Sequence, residues 1–148
     1  MSDSNIINQF VTAAFNGDEN TVRSLLLTSQ VNINDKNEYG STALMEAAWS
    51  NRESIVSLLI DKGADINMKN NDGRTALLAA AIYFNESIVS LLIDKGADIN
   101  MKDEYGFTAL MYAAFHNRES MVSLLIYKGA DINMKNNVSI IILLLLQN

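Results

Sequence analysis

Residues 35–67 read DKNEYGSTALMEAAWSNRESIVSLLIDKGADIN, and residues 101–133 read MKDEYGFTALMYAAFHNRESMVSLLIYKGADIN. The two stretches are identical at 25 of 33 positions, and the intervening 68–100 follows the same plan. Gly40, Gly73 and Gly106 each open a run G-x-T-A-L. An apolar block Ser-φ-Val-Ser-Leu-Leu-Ile, with φ apolar, follows at 54–60, 87–93 and 120–126, and Gly-Ala-Asp-Ile-Asn closes the copies at 63–67, 96–100 and 129–133. A fixed period of 33 residues predicts a stacked array, because a unit this short cannot bury its apolar face alone. An array offers surface, so the functional question moves to exposed side chains.

Within the copy 35–67 each residue type suggests its place. Gly40 allows a turn conformation that a Cβ would disfavour. Thr42 offers a hydroxyl where the first N–H groups of a helix need an acceptor. The first helix is expected over about 42–49. Ala43, Ala47 and Ala48 keep its inner side thin, and Leu44 fills the core. Asn51 is expected to cap a second helix over about 52–61, with Ile55, Val56, Leu58 and Leu59 on one apolar stripe. Gly63 should end that helix. Asp65 and Asn67 suit the turn that leads into a hairpin.

These residues resemble the ankyrin repeat, whose signature includes a T-P-L-H-x-A run. The matching runs are Thr42-Ala43-Leu44-Met45-Glu46-Ala47, Thr75-Ala76-Leu77-Leu78-Ala79-Ala80 and Thr108-Ala109-Leu110-Met111-Tyr112-Ala113. Alanine stands for the proline, and methionine or leucine for the histidine, in all three. That removes a rigid helix start and an inter-repeat hydrogen-bond donor. The resemblance implies an all-α repeat fold: an ankyrin-type solenoid of stacked helix-turn-helix units joined by β-hairpin loops. The whole chain, 1–148, is expected to be one such domain. Residues 1–34 form a divergent capping repeat, 35–67, 68–100 and 101–133 are full repeats, and 134–148 is a truncated one. In the first unit Ala13-Ala14-Phe15-Asn16-Gly17-Asp18 matches the end of a first helix and its turn, with one extra residue near Thr28–Gln30.

Composition narrows the function class. There is no cysteine, so neither a disulfide framework nor a thiolate metal site is available. A net charge of −6 disfavours binding to phosphate backbones, so no nucleic-acid partner is expected. The start of the chain lacks a basic segment followed by a long apolar one, so no Sec-type signal peptide is read. The longest apolar run, Ile140–Leu146, is too short for a bilayer, so no membrane partner is expected. A cytoplasmic location follows as the expectation, or delivery into a host cytosol without such a signal. The run Ile140–Leu146 has three readings: a cover for the open face of 101–133, a sticky edge for weak homo-oligomerisation, or a tail without function.

No catalytic set is present. His116 is the single histidine, and no nucleophile elbow or phosphate loop occurs. Asp65-x-Asn67 and Asp98-x-Asn100 resemble the start of a calcium loop, but Lys69 and Lys102 stand at the third ligand position. Asn85-Glu86-Ser87 and Asn137-Val138-Ser139 match the glycosylation tripeptide, a pattern common by chance. No metal, cofactor or enzymatic activity is expected.

The resemblance implies binding of a partner protein through the hairpin tips and the inner face of the first helices. Relatives of this kind in intracellular bacteria and large DNA viruses engage host proteins, so a host protein is one expected class of partner. Those positions vary between copies, whereas the second helices repeat almost verbatim. The tips read Glu38-Tyr39, Asn71-Asp72 and Glu104-Tyr105, and the residue after the turn glycine reads Ser41, Arg74 and Phe107. The first-helix positions read Trp49-Ser50, Ile82-Tyr83 and Phe115-His116, with Glu46, Ala79 and Tyr112 further back. The candidate partner-binding set is Glu38, Tyr39, Ser41, Trp49, Asp72, Arg74, Ile82, Tyr83, Glu104, Tyr105, Phe107, Tyr112, Phe115 and His116. Tryptophan, tyrosine and arginine are the residues enriched at binding hot spots. A second reading makes Trp49, Ile82 and Phe115 plain core, and the acidic tips solvated turns. Against the binding-module reading stands a self-associating structural or vestigial fragment that uses Ile140–Leu146.

Overall fold

The computed structural model describes residues 3–135, so the apolar run Ile140–Leu146 and the roles expected of it lie outside the described residues. Among the described residues there are eight α-helices and no strand. They are α1 (Asp3–Asn16), α2 (Glu19–Leu27), α3 (Ala43–Trp49), α4 (Glu53–Asp61), α5 (Ala76–Ile82), α6 (Glu86–Asp94), α7 (Ala109–Phe115) and α8 (Glu119–Tyr127). The odd-numbered helices pack side by side in one layer, each paired with the even-numbered helix that follows it. In the second layer α4 packs on α6 and α6 on α8.

Local chemistry explains where the first helices begin. Thr42, Thr75 and Thr108 take extended backbone angles, and each hydroxyl accepts a hydrogen bond from the N–H three residues on, at 3.3 Å. At α3 the sulfur of Met45 also accepts from Thr42 N at 3.5 Å, so the methionine in the histidine's place still closes the helix end. Ala43, Ala47, Ala48, Ala80, Ala81 and Ala113 are fully buried, which lets neighbouring helices approach closely. Ile55, Val56 and Leu59 on α4 and Ile88, Val89 and Leu92 on α6 are likewise sealed, joining one continuous core.

Asn51 does not cap α4. It occupies the left-handed region at φ 59°, as do Gly17, Phe84 and Asn117 at equivalent turns. The turn between helices needs such a residue, and that moves the cap position by one, to Arg52, with the helix starting at Glu53. Arg52 and its counterpart Asn85 use their side chains elsewhere. Arg52 Nε donates to Phe15 O at 3.1 Å, and Asn85 Nδ2 to Ala48 O at 2.9 Å and Trp49 O at 3.3 Å. The carboxamide of the Asn85-Glu86-Ser87 tripeptide is therefore already engaged. Of the four even-numbered helices only α2 has a side-chain cap, from Asp18, which accepts from Thr21 N at 3.1 Å.

The loops carry a second set of rungs. The expected hairpins are reduced to turns, closed at the first by Gly40 N to Asn37 O (2.9 Å) and Asn37 N to Ser41 O (3.0 Å). Asn34 Oδ1 accepts from Asp65 N, Asn67 Oδ1 from Asp98 N and Asn100 Oδ1 from Asp131 N, at 2.8–2.9 Å. Lys36 Nζ donates to Lys69 O, Lys69 Nζ to Lys102 O and Lys102 Nζ to Lys135 O. Successive tips join directly, through Asn71 N to Tyr39 O (3.1 Å) and Glu104 N to Asp72 O (3.0 Å).

That last contact fixes the turn glycine. A Cβ on Gly73 would lie 2.8 Å from Glu104 N, on a residue at φ 71°. At Gly96 (φ 102°) a Cβ would meet nothing within 4 Å. Gly96→Ala should therefore cost only the left-handed strain, about 1–2 kcal/mol. Gly73→Ala adds a backbone clash and should destabilise by clearly more. Urea unfolding of the two variants checks the order; equal losses would mean that the tips do not stack as closely as described.

Candidate partner-binding groove

Because α1, α3, α5 and α7 lie side by side, residues at or next to their C-terminal ends form a row. Phe15, Trp49 and Phe115 are 42%, 37% and 58% exposed, and Ile82 between them is half-buried. Tyr83 stacks on Trp49 with ring centroids 5.0 Å apart and planes 20° from parallel. His116 is exposed and sets its ring edgewise to Phe84 and Phe115, at 5.5 and 5.2 Å. The row is held from behind by the next copy, since Arg52 grips the carbonyl of Phe15 and Asn85 those of Ala48 and Trp49.

The tips stand across from this row. Tyr39 and Tyr105 are each 66% exposed, and Glu38, Asp72 and Glu104 are exposed beside them. Ser41 differs from expectation: it is 3% exposed and cannot offer itself to a partner. Its backbone N–H is tied to Asn37 Oδ1 at 3.0 Å, and its side chain hydrogen-bonds Glu46. Phe107 and Tyr112 are half-buried and lie against each other at 5.0 Å. They form a ledge under the third tip rather than free probes.

Beneath that ledge lies a polar knot. Asp103 is buried and stands where the other copies have Asn37 and Asn70. Its Oδ1 accepts from Tyr105 N and Phe107 N, and its Oδ2 accepts from Tyr112 Oη at 2.5 Å. Burial and this carboxylate push the Tyr112 phenol up to about 12, so it stays a neutral donor. Arg74 pulls the other way from its place beside the phenol, and also faces Asp72 at 3.6 Å.

Between tip and helix row opens a cleft of about 380 Å³ lined by Phe15, Tyr39, Ser41, Glu46, Trp49, Asn70, Asn71, Asp72 and Arg74. Four of these, Phe15, Glu46, Asn70 and Asn71, lie outside the candidate set. Phe15 belongs to the irregular first unit, where the one-residue insertion breaks the period. It is visible once Ala13-Ala14-Phe15 is aligned with Ala47-Ala48-Trp49. Glu46 varies between copies, as Ala79 and Tyr112 show at the same position. Burial holds its carboxyl above the usual carboxylate range, and the bond from Ser41 only partly offsets this. Among the described residues no lysine or arginine forms an ion pair with it.

Among the described residues no group of three or more His, Cys, Asp or Glu side chains could hold a metal ion, and no helix is long and apolar enough to cross a membrane. A family profile described as ankyrin repeats in three copies matches residues 8–70 and 64–136. No curated protein sequence matches the chain.

The Glu46 environment gives a signed prediction. A carboxyl whose folded value is raised favours folding when protonated. That contribution is complete below about 4.5 and is lost as pH rises through the folded value. Glu46→Gln should leave the protein at least as stable as the parent at pH 7, with a gain below about 1 kcal/mol after solvent screening. The gain should vanish below about pH 4.5. Melting curves of both proteins from pH 4 to 7 test this; a variant less stable at pH 7 and matched at pH 4 would contradict the assigned burial.

Proposed function

Since the chain belongs to the ankyrin-repeat family, whose members generally mediate protein–protein interaction and are typically non-enzymatic, we propose that it is a binding module without chemistry of its own. A partner protein docks across the tips and the row of first-helix ends. Residues 1–34 cap the array, and 35–67, 68–100 and 101–133 carry the binding surface. The observation that supports this reading is the distribution of exposed aromatics. Tyr39, Trp49, Tyr83, Tyr105 and Phe115 are all exposed on the tips and helix ends that the copies vary. Rigid aromatic anchors of this kind carry much of the free energy of protein interfaces. A contiguous exposed apolar surface signals a partner.

Within the candidate set the anchors are Tyr39, Trp49, Tyr83, Tyr105 and Phe115. Glu38, Asp72, Glu104 and His116 form the polar rim, and Ile82, Arg74, Phe107 and Tyr112 support them from partly buried positions. Ser41 acts only through Glu46. The acidic rim favours a partner whose own rim is basic. A host protein is one class that fits, and the interaction takes place in a cytosolic compartment.

Affinity capture with mass spectrometry, run with the parent and with a Tyr39→Ala, Tyr105→Ala, Phe115→Ala variant, tests the proposal. These three side chains are mostly exposed, so the variant should melt within a few degrees of the parent. It should lose its partner by about tenfold or more. Equal capture by both would sink the groove reading. Removing residues 138–148 should leave capture intact; loss of all association on that deletion would favour self-association through Ile140–Leu146 instead.

A further inference from the structure

The cleft between the first tip and the helix row has a chemical bias that the rest of the groove lacks. Three aromatic side chains line it, Phe15, Tyr39 and Trp49. Tyr83 covers one face of the Trp49 ring and does not line the cleft, so the indole meets the cleft with the rest of its surface. Glu46 lies in the same wall, half-buried, bonded to the Ser41 hydroxyl and unpaired with any cation among the described residues. The single cation in the lining, Arg74, is directed to Asp72 and to the knot beneath the next tip. Glu46, Asp72 and Arg74 together leave the cleft one negative charge in excess, on a chain whose net charge is −6.

A partly desolvated carboxylate with only a neutral donor is an incomplete site. An apolar occupant would strip the remaining water from Glu46 and return no bond, and a neutral donor would leave its charge unbalanced. A cation would complete it. Of the two cationic side chains, a guanidinium fits aromatic walls and a carboxylate at once: it is planar, stacks on rings and donates two parallel hydrogen bonds to one carboxylate.

We propose that this cleft is an arginine-recognition subsite, in which the guanidinium of an arginine on an extended, basic segment of the partner protein packs against Trp49 and Tyr39 and pairs with Glu46. The proposal rests on the binding-module reading and gives it a specificity. Asp72 adds attraction at the rim, while Arg74 prevents a second cation from entering beside the first. Acidic segments are rejected by the same charges.

A random dodecamer library displayed on phage and selected against the full chain tests this without knowledge of the natural partner. Selected peptides should share an arginine at one position. Binding should change the fluorescence of Trp49, the only tryptophan in the chain. Exchanging that arginine for citrulline, its neutral isostere, should weaken binding about tenfold or more. Glu46→Gln should weaken it by a similar factor and make the chain indifferent to the exchange. Glu53→Gln, in the exposed first turn of α4, should leave affinity unchanged. Peptides that bind the Tyr39→Ala, Tyr105→Ala, Phe115→Ala variant poorly, yet show no arginine preference and no dependence on Glu46, would overturn the arginine subsite and leave the module reading intact. Enrichment of lysine without arginine would overturn the guanidinium assignment. Failure of the library to yield any binder would count against the groove and the subsite together.

Discussion

A carboxamide oxygen that reaches one copy ahead holds this array in register. Asn34, Asn67 and Asn100 each accept the backbone N–H of the aspartate 31 residues on. The lysines at 36, 69 and 102 do the converse, donating to a carbonyl 33 residues on. These bonds satisfy loop backbone groups that no regular structure pairs. Their equal spacing is why one sequence period serves every copy. With register fixed, side chains at equivalent positions line up, and a row of variable residues becomes a surface. Substitution can then alter that surface without touching the rungs.

What was legible in the sequence was local or periodic. The threonine caps, the alanine side of the first helices and the apolar stripe of the second depend only on residues within one copy, and the structure shows them as read. The departures arise at the turns between paired helices and where a residue answers to a neighbouring copy. The sequence suggests a cap at Asn51, but the inter-helix turn requires a left-handed residue there, and asparagine tolerates that region. Phe84 holds the same conformation with a bulky ring, a strained choice that the repeat pattern gives no reason to expect. Its ring lies under the guanidinium of Arg118, 4.0 Å from the ring centroid, and against His116. Those contacts to the following copy help hold it.

The candidate site was legible in outline for the same reason. Comparison between copies located the tips and the helix ends, because variation inside a repeat marks positions free of the stacking constraint. It could not say which variable positions are exposed. Ser41 varies because its hydroxyl serves Glu46, and Phe107 and Tyr112 vary together because they share the ledge above Asp103. Asp103 itself differs from Asn37 and Asn70 by one atom. That atom lets it accept the Tyr112 hydroxyl, so the change makes a buried polar contact under the third tip. Exposure also separates the alternatives for the large residues: Trp49 and Phe115 keep much of their surface in solvent, whereas Ile82 is half withdrawn.

A binding module of the proposed kind requires that partners meet the face made of tips and first-helix ends. Hydroxyl-radical footprinting of the full chain, free and saturated with a binding peptide, addresses it directly. Tyr39, Trp49, Tyr83, Tyr105 and Phe115 should be protected by the peptide, while Leu27 and Tyr127, exposed at the ends of α2 and α8, should oxidise at unchanged rates. Protection of Leu27 and Tyr127 with the five aromatics unaffected would place binding on the second-helix side and contradict the account.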